Sequence, residues 1–294
     1  MGQPTPNREA YLSSETRNAG RRRLDRVQTL ALKVPEITIY FWIAKLLTTA
    51  MGEATSDYLV FGINKYVAVG LGAVGLAVAL ILQFSAHRYV AWIYWLAAVM
   101  VAIFGTMAAD VLHIVILTPV FGSNVAYIIS SVLFAVCLII VFVVWYSIEK
   151  TLSIHSITTR RRETFYWATV LATFAMGTAV GDLTAVTLHL GYLSAGLLFI
   201  ILIELPALAY FLLGLNEIAA FWIAYILTRP LGASFADWFG KPQSLSGLGL
   251  GDAIVAVVLT ALIIIVVGYL SITRKDIRQE QVAVPTTGSG IPAK

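Results

Sequence analysis

The chain of 294 residues is 59% hydrophobic and only 12% charged, with a mean hydropathy of +0.84. This composition is too apolar for a soluble globular protein and indicates several membrane spans. The formal charge of +4 therefore reflects basic loops rather than nucleic-acid binding. The single cysteine, Cys137, excludes an intramolecular disulfide and a thiolate metal site, and we expect it to be a small buried hydrophobic residue.

Eight apolar segments are long enough to cross a bilayer, which requires about 20 residues in a helix. Glycine, proline and asparagine separate them. In chain order the predicted spans are 37–61, 66–86, 90–117, 125–147, 165–190, 193–213, 217–239 and 251–272. The sequence therefore predicts an all-α membrane protein with eight transmembrane helices.

The basic residues predict the orientation of these spans. They are concentrated in 17–33, 150–162 and 274–278, which all fall on one side of the membrane if there are eight spans. The predicted loops on the other side contain only Lys65 and Lys241. Because loops rich in Lys and Arg stay in the cytoplasm, we expect a multi-pass protein of the bacterial inner membrane with both termini cytoplasmic.

This pattern divides the chain into two membrane halves with basic segments around them. We expect a cytoplasmic basic tail at 1–33, a first half at 34–147, a cytoplasmic basic linker at 148–163, a second half at 164–273 and a flexible cytoplasmic tail at 274–294.

One motif recurs four times: a Trp, ten residues to a Gly and five more to an Asp. The copies are Trp42/Gly52/Asp57, Trp95/Gly105/Asp110, Trp167/Gly177/Asp182 and Trp222/Gly232/Asp237. They fall on the first, third, fifth and seventh predicted spans, so each repeat is a two-helix unit. Because each unit has two spans, all four enter the membrane in the same direction. We therefore predict parallel repeats, pseudo-symmetric about an axis along the membrane normal.

Helical geometry assigns each residue of the motif a role. At 100° per residue, the ionisable groups of the odd-numbered spans lie on the same face as the motif, and such a face belongs inside the protein. Each Gly has a small residue four positions later, which is typical of close helix packing in membranes. Each Trp lies near the cytoplasmic end, where we expect an interfacial anchor with an exposed indole N–H.

Three interpretations fit the four motif aspartates, which lie roughly 22 Å from the Trp along each helix. Each aspartate could be a solvated helix end. They could pair with Lys45 and Arg229. They could also converge on a cation or proton site, because ionisable groups inside a membrane are costly and mark function. We favour the third interpretation.

The residue types favour a divalent cation. Clustered carboxylates bind hard divalent ions, and a histidine beside them, His113, shifts the preference towards Mn²⁺, Zn²⁺ or Co²⁺. Lys45 and Arg229 could compensate carboxylate charge or form a static buried ion pair, and the sequence leaves both open. The predicted cation-binding set is Asp57, Asp110, Asp182, Asp237 and Glu53, with His113, Glu204 and Thr49 as additional candidates.

Our leading hypothesis is a secondary transporter or exporter of a small cation, with a divalent metal of the Mn/Zn/Co class as favoured substrate and proton coupling as an option. The alternative is a non-transporting scaffold or sensor whose polar stripes only hold the helices together. Motifs for nucleotide binding, serine hydrolysis, metalloproteases and CxxC chemistry are absent, so we do not expect an enzyme. We expect no cofactor besides the cation substrate, and no nucleic-acid partner. The lipid bilayer is the expected environment, and the oligomeric state is left open.

Several stretches resemble a known family. They are KVPEIT at 33–38, YFW at 40–42, GEATSD at 52–57, FWI at 221–223 and RPLGASFADW at 229–238. They are similar to bacterial membrane proteins built from four tandem two-helix repeats of unknown function, each with a characteristic Trp. The resemblance covers roughly 35–272; it implies the architecture and no activity. The second and third repeats have no charged residue at 98 and 170.

Overall fold

The computed structural model describes residues 32–277, and within that range the chain is helical and contains no β-strand. The predicted tails 1–33 and 274–294 therefore lie almost wholly outside the described residues. The eight long helices are α1 Ile39–Gly62, α2 Lys65–Ser85, α3 Ala91–Asp110, α4 Ser123–Glu149, α5 Arg160–Asp182, α6 Gly191–Leu213, α7 Glu217–Gly240 and α8 Asp252–Thr273. Two of them continue beyond the motif aspartate: α3 through a π-helical segment, Val111–Leu117, and a last turn, Thr118–Phe121, and α5 through a π-helical segment, Leu183–Thr187.

Two helices extend further than their hydropathy predicts. The third continues past 117, and Pro119 is tolerated there because it lies in the first turn of the last α-helical segment. The fifth begins at Arg160 rather than 165, because the Thr159 side chain caps it by accepting from the Arg162 N–H. A side-chain cap, rather than hydropathy, therefore decides where the fifth helix begins.

Seven of the eight helices are long and apolar enough to cross a membrane, as expected for a multi-pass membrane protein. The exception is α1, whose hydropathy is lowered by Lys45, Glu53 and Asp57. The even-numbered helices expose large apolar side chains, such as Val74 and Ile139, and this surface suits contact with lipid. Cys137 is also exposed on α4, so its predicted burial is wrong.

The four odd-numbered helices form a closed inner ring. Within it α1 packs against α3, α3 against α5, α5 against α7, and α7 against α1. Each even-numbered helix lies outside the ring and packs mainly on the odd helix that follows it, with α8 closing the order on α1. Contacts between the two predicted halves are therefore as extensive as contacts within them.

The motif glycines occupy the contacts between neighbouring ring helices. A Cβ atom on any of them would lie less than 3.0 Å from the next helix, closer than real Cβ atoms approach. The pairs are Gly52 with Ala102, Gly105 with Phe174, Gly177 with Arg229 and Gly232 with Thr49. Each partner stands three residues before the glycine of the next repeat, so one contact recurs around the ring. The predicted packing role of the glycines is confirmed.

The motif tryptophans are not exposed anchors. Trp95, Trp167 and Trp222 are 2–4% exposed and form an aromatic layer with neighbouring tyrosines, including Tyr94 and Tyr166, whose hydroxyls are 2.5 Å apart. For these three our expectation of a water-exposed indole is wrong, because they share the inward face of the motif and fill one end of the ring; Trp42 is only partly buried. We call this end the Trp end, and the opposite end the Asp end.

A candidate cation site in the helix ring

Polar and ionisable side chains line the inside of the ring. All the candidate ionisable residues of the odd-numbered helices are buried or nearly so, and Asp182, with 17% of its side chain exposed, is the most accessible of them. The prediction that the motif face points inward is confirmed. The polar side chains form a middle layer and a cluster at the Asp end.

The middle layer is built around Arg229, whose guanidinium is fully buried. Its Nη2 lies 2.6 Å from Glu53 Oε2, donates to Thr178 Oγ1 at 2.7 Å, and also contacts Thr106. Its Nη1 donates to the carbonyl of Thr49 at 2.9 Å. In the second and third repeats, Thr106 and Thr178 directly follow the motif glycine, as Glu53 does in the first repeat. One guanidinium therefore ties all four ring helices together, and Thr49 contributes through its backbone.

Lys45 is buried on the Trp side of this layer, against aromatic rings. Its Nζ lies 4.0 Å from the ring centres of both Phe174 and Tyr225, a geometry in which a cation is attracted to the aromatic face. Within residues 32–277 no carboxylate lies at ion-pair distance from it. The interpretation that Lys45 and Arg229 pair with the aspartates is wrong, since Arg229 pairs with Glu53 instead.

The four motif aspartates meet at the Asp end in two groups. In the first, Asp57 and Asp237 lie with Glu53 so that one ligand oxygen from each is within 4.8 Å of the others. The ammonium of Lys241 donates to Asp57, and lies 3.9 Å from Asp237 Oδ1 and 3.2 Å from Asp252 Oδ2. We call these residues the Lys241 group.

The loop after α7 holds Lys241 in this position. Residues 241–251 fold back on the end of the helix, with Leu248 N donating to Trp238 O at 2.6 Å and Gly249 N to Lys241 O at 2.8 Å. Gly247 is needed there because a Cβ atom would collide with the Lys241 carbonyl. Burial alone would lower the pKa of Lys241, but Asp57 and Asp237 outweigh it and raise that pKa above its ordinary value. Lys241 is therefore charged at physiological pH.

The second group consists of Asp110, His113 and Asp182, and we call it the His113 group. His113 Nε2 lies 3.4 Å from Asp110 Oδ1 and 3.2 Å from Asp182 Oδ2, and one ligand atom from each residue lies within 4.8 Å of the others. Ser56 Oγ donates to Asp110 at 3.5 Å, so the two groups adjoin. The interpretation of solvated helix ends is wrong, because Asp57, Asp110 and Asp237 are only 4–5% exposed.

Other residues differ from the sequence interpretation. Glu204 is exposed on the outer face of α6 and, within the described residues, forms no hydrogen bond or ion pair with the ring, so its predicted place near the site is wrong. Sequence reasoning missed Thr106, Thr178 and Lys241. Thr106 and Thr178 each follow a motif glycine directly, and Lys241 follows Asp237 by one helical turn. Comparison of the repeats and helical spacing could therefore have identified them from the sequence.

One family model matches this chain four times, at residues 40–89, 93–151, 165–214 and 220–276: the Repeat of Unknown Function, DUF347. The chain belongs to the DUF347 family. Each DUF347 repeat contains one ring helix and the outer helix that follows it, which confirms the resemblance to four tandem two-helix repeats. No curated protein and no solved structure matches the chain.

Proposed function

We propose that this protein is a secondary transporter or exporter of a small cation, with a divalent metal ion of the Mn/Zn/Co class as its substrate. The observation that carries the proposal is the meeting of the four motif aspartates, one from each repeat, in two groups of ligand atoms within 4.8 Å. Divalent cations bind carboxylate oxygens at about 2–2.6 Å, so small side-chain movements would suffice to coordinate one.

The proposal includes an arrangement in the bacterial inner membrane. All eight helices cross the bilayer as parallel repeats about an axis along the membrane normal. The first helix can do so because its charges face the ring interior rather than lipid. The basic residues Arg160–Arg162 begin α5 at the Trp end, and this supports a cytoplasmic position for that end and for both termini. Single cysteines at 64 and 155 in a Cys137→Ser background, labelled with an impermeant thiol reagent on intact cells, test this: only position 64 should react.

The layers suggest how a cation would move. It enters from the Asp end, where the carboxylates are. The buried Arg229–Glu53 pair and the aromatic layer then block its path to the Trp end, so passage requires these side chains to rearrange. Lys45 and Arg229 supply positive charge for the carboxylates once the cation leaves, and proton uptake by the same carboxylates is the coupling that this chemistry offers.

Flux through reconstituted protein tests the proposal. Asp57→Asn, Asp110→Asn, Asp182→Asn and Asp237→Asn should each reduce uptake of Mn²⁺ or Co²⁺ into proteoliposomes, reported by an enclosed metal-sensitive dye. Glu204→Gln, an exposed carboxylate away from the ring, is the matched control and should transport like the parent.

The alternative functions predict different results. If all four variants transport like the parent, the aspartates do not carry the cation and the proposal is wrong. If the variants no longer accumulate in the membrane, and the parent gives no flux, the polar layers are structural and the scaffold or sensor hypothesis is favoured.

A further inference from the structure

The two groups of carboxylates at the Asp end differ in what already neutralises them. In the Lys241 group an ammonium contacts Asp57, and Glu53 is paired with Arg229. The His113 group has no lysine or arginine at ion-pair distance among the described residues. One group therefore contains the permanent cations Lys241 and Arg229, whereas the other contains only the imidazole of His113.

His113 is the informative member of the second group. Its ring is fully buried and packs against Tyr127, with ring centres 4.7 Å apart. Nε2 lies between Asp110 and Asp182, yet within residues 32–277 neither ring nitrogen has a hydrogen-bond partner with good geometry. A buried polar atom without a partner is costly, and a ligand held between His113 Nε2 and the two carboxylates would satisfy that nitrogen.

The backbone next to the His113 group contains π-helical segments. The π-helical segment of α3 begins directly after Asp110 and contains His113, and the π-helical segment of α5 begins directly after Asp182. The other two motif aspartates, Asp57 and Asp237, are followed by ordinary α-helix. Wider turns of this kind are rare and often occur at functional sites. Here they accompany both aspartates of the His113 group.

We propose that Asp110, His113 and Asp182 form a binding site for one divalent transition-metal ion, such as Co²⁺, Zn²⁺ or Mn²⁺. One imidazole nitrogen with two carboxylates suits these ions better than Mg²⁺ or Ca²⁺, which prefer oxygen ligands alone. The protein supplies three ligands and leaves further positions for water or for a passing ligand. This inference deepens the proposed function by identifying which group selects the metal, and its role in transport rests on that function.

Cobalt binding to the purified full-length protein in detergent tests the site without requiring transport. Titration with Co²⁺, followed by its visible absorption bands, should show binding of one ion per chain that Zn²⁺ displaces and a large excess of Mg²⁺ does not. His113→Ala, Asp110→Asn and Asp182→Asn should weaken binding at least about tenfold, since even outer contacts of a metal site contribute that much. His189→Ala is the matched control, because His189 is exposed at the same end of α5 and should leave binding unchanged.

The outcomes separate the site from the transport proposal. If His113→Ala binds Co²⁺ like the parent, or the parent binds none, the site is wrong even where proteoliposomes show divalent flux. If Co²⁺ binds as expected but the parent gives no flux, the site stands and the transport proposal is wrong. Should His113→Ala fail to fold, His113→Gln retains a polar side chain of similar size and is expected to fold and to lose Co²⁺ binding.

Discussion

Repeats 1 and 4 place their motif aspartates beside the ammonium of Lys241, whereas repeats 2 and 3 place theirs beside a histidine. The first pair contributes Lys45, Glu53, Arg229 and Lys241, and its ring helices remain α-helical after the aspartate. The second pair contributes threonines at the position of Glu53, and π-helical segments after the aspartate. The same repeat thus forms two different sides of one ring. On one side Lys241 contacts the carboxylates, and on the other the described residues place only a histidine beside them. The difference shows that residues outside the shared motif decide which side chains surround each aspartate.

The largest expected effect comes from the guanidinium that ties the ring together. Arg229→Met leaves Glu53 as an unpaired buried carboxylate, and should lower the free energy of unfolding by about 3–5 kcal/mol. Denaturant unfolding in detergent, followed by helical circular dichroism, measures this. Arg229→Met combined with Glu53→Gln should recover much of the loss, because no buried charge is then unpaired. A double variant as unstable as the single one would show that the pair does not act as a unit.

Removing Lys241 tests whether an ammonium occupies a cation position in repeats 1 and 4. Lys241→Gln leaves Asp57 and Asp237 without it, so the folded protein should gain stability from added Mg²⁺. The gain should reach about 2.7 kcal/mol at one hundred times the dissociation constant, measured as an upward shift of the thermal midpoint. Lys65→Gln, which alters the other basic residue at this end, is the control. Equal Mg²⁺ responses in both variants and the parent would contradict the idea.

The motif glycines make the same close helix contact in all four repeats, so substituting them tests a feature that both pairs of repeats share. Gly52→Ala and Gly105→Ala should each destabilise the protein by about 1–3 kcal/mol, because the new methyl meets a neighbouring ring helix. Gly70→Ala on α2 has open space around it, and should be neutral or stabilising by up to about 1 kcal/mol. If Gly105→Ala is as harmless as Gly70→Ala in thermal unfolding, the ring contacts are looser than described.

The smallest effect is expected at Lys45. Lys45→Met removes attraction to Phe174 and Tyr225, which is worth about 2 kcal/mol for a desolvated cation. It also removes a buried charge that has no carboxylate partner within residues 32–277. We expect these contributions nearly to cancel, leaving the free energy of unfolding within about 1 kcal/mol of the parent. Cation flux in the same variant then isolates the proposed charge-compensating role: reduced flux at unchanged stability supports it, and parental flux contradicts it.

Much of the architecture was predictable from local patterns. Helices are recognisable because span length and apolar composition are local properties, and all eight long helices of the described residues were located, with differences of a few residues at their ends. The inward face of the motif was predictable because helical periodicity places Gly52 and Asp57 on one side. The burial of Trp95 and Trp167 was not predicted, since a tryptophan near a helix end is equally compatible with lipid headgroups and with a closed ring.

Sequence by itself determined the four repeats, their helices and the face on which each aspartate lies. These features depend only on residues close to one another in the sequence, through apolar composition, motif spacing and helical periodicity. Only the tertiary structure decided which side chains meet: Arg229 with Glu53, Lys241 with Asp57, and His113 with Asp182. The two members of each pair belong to different repeats and are separated by 69 to 184 positions along the chain. Their contact depends on the order of packing around the ring, and no local pattern records that order.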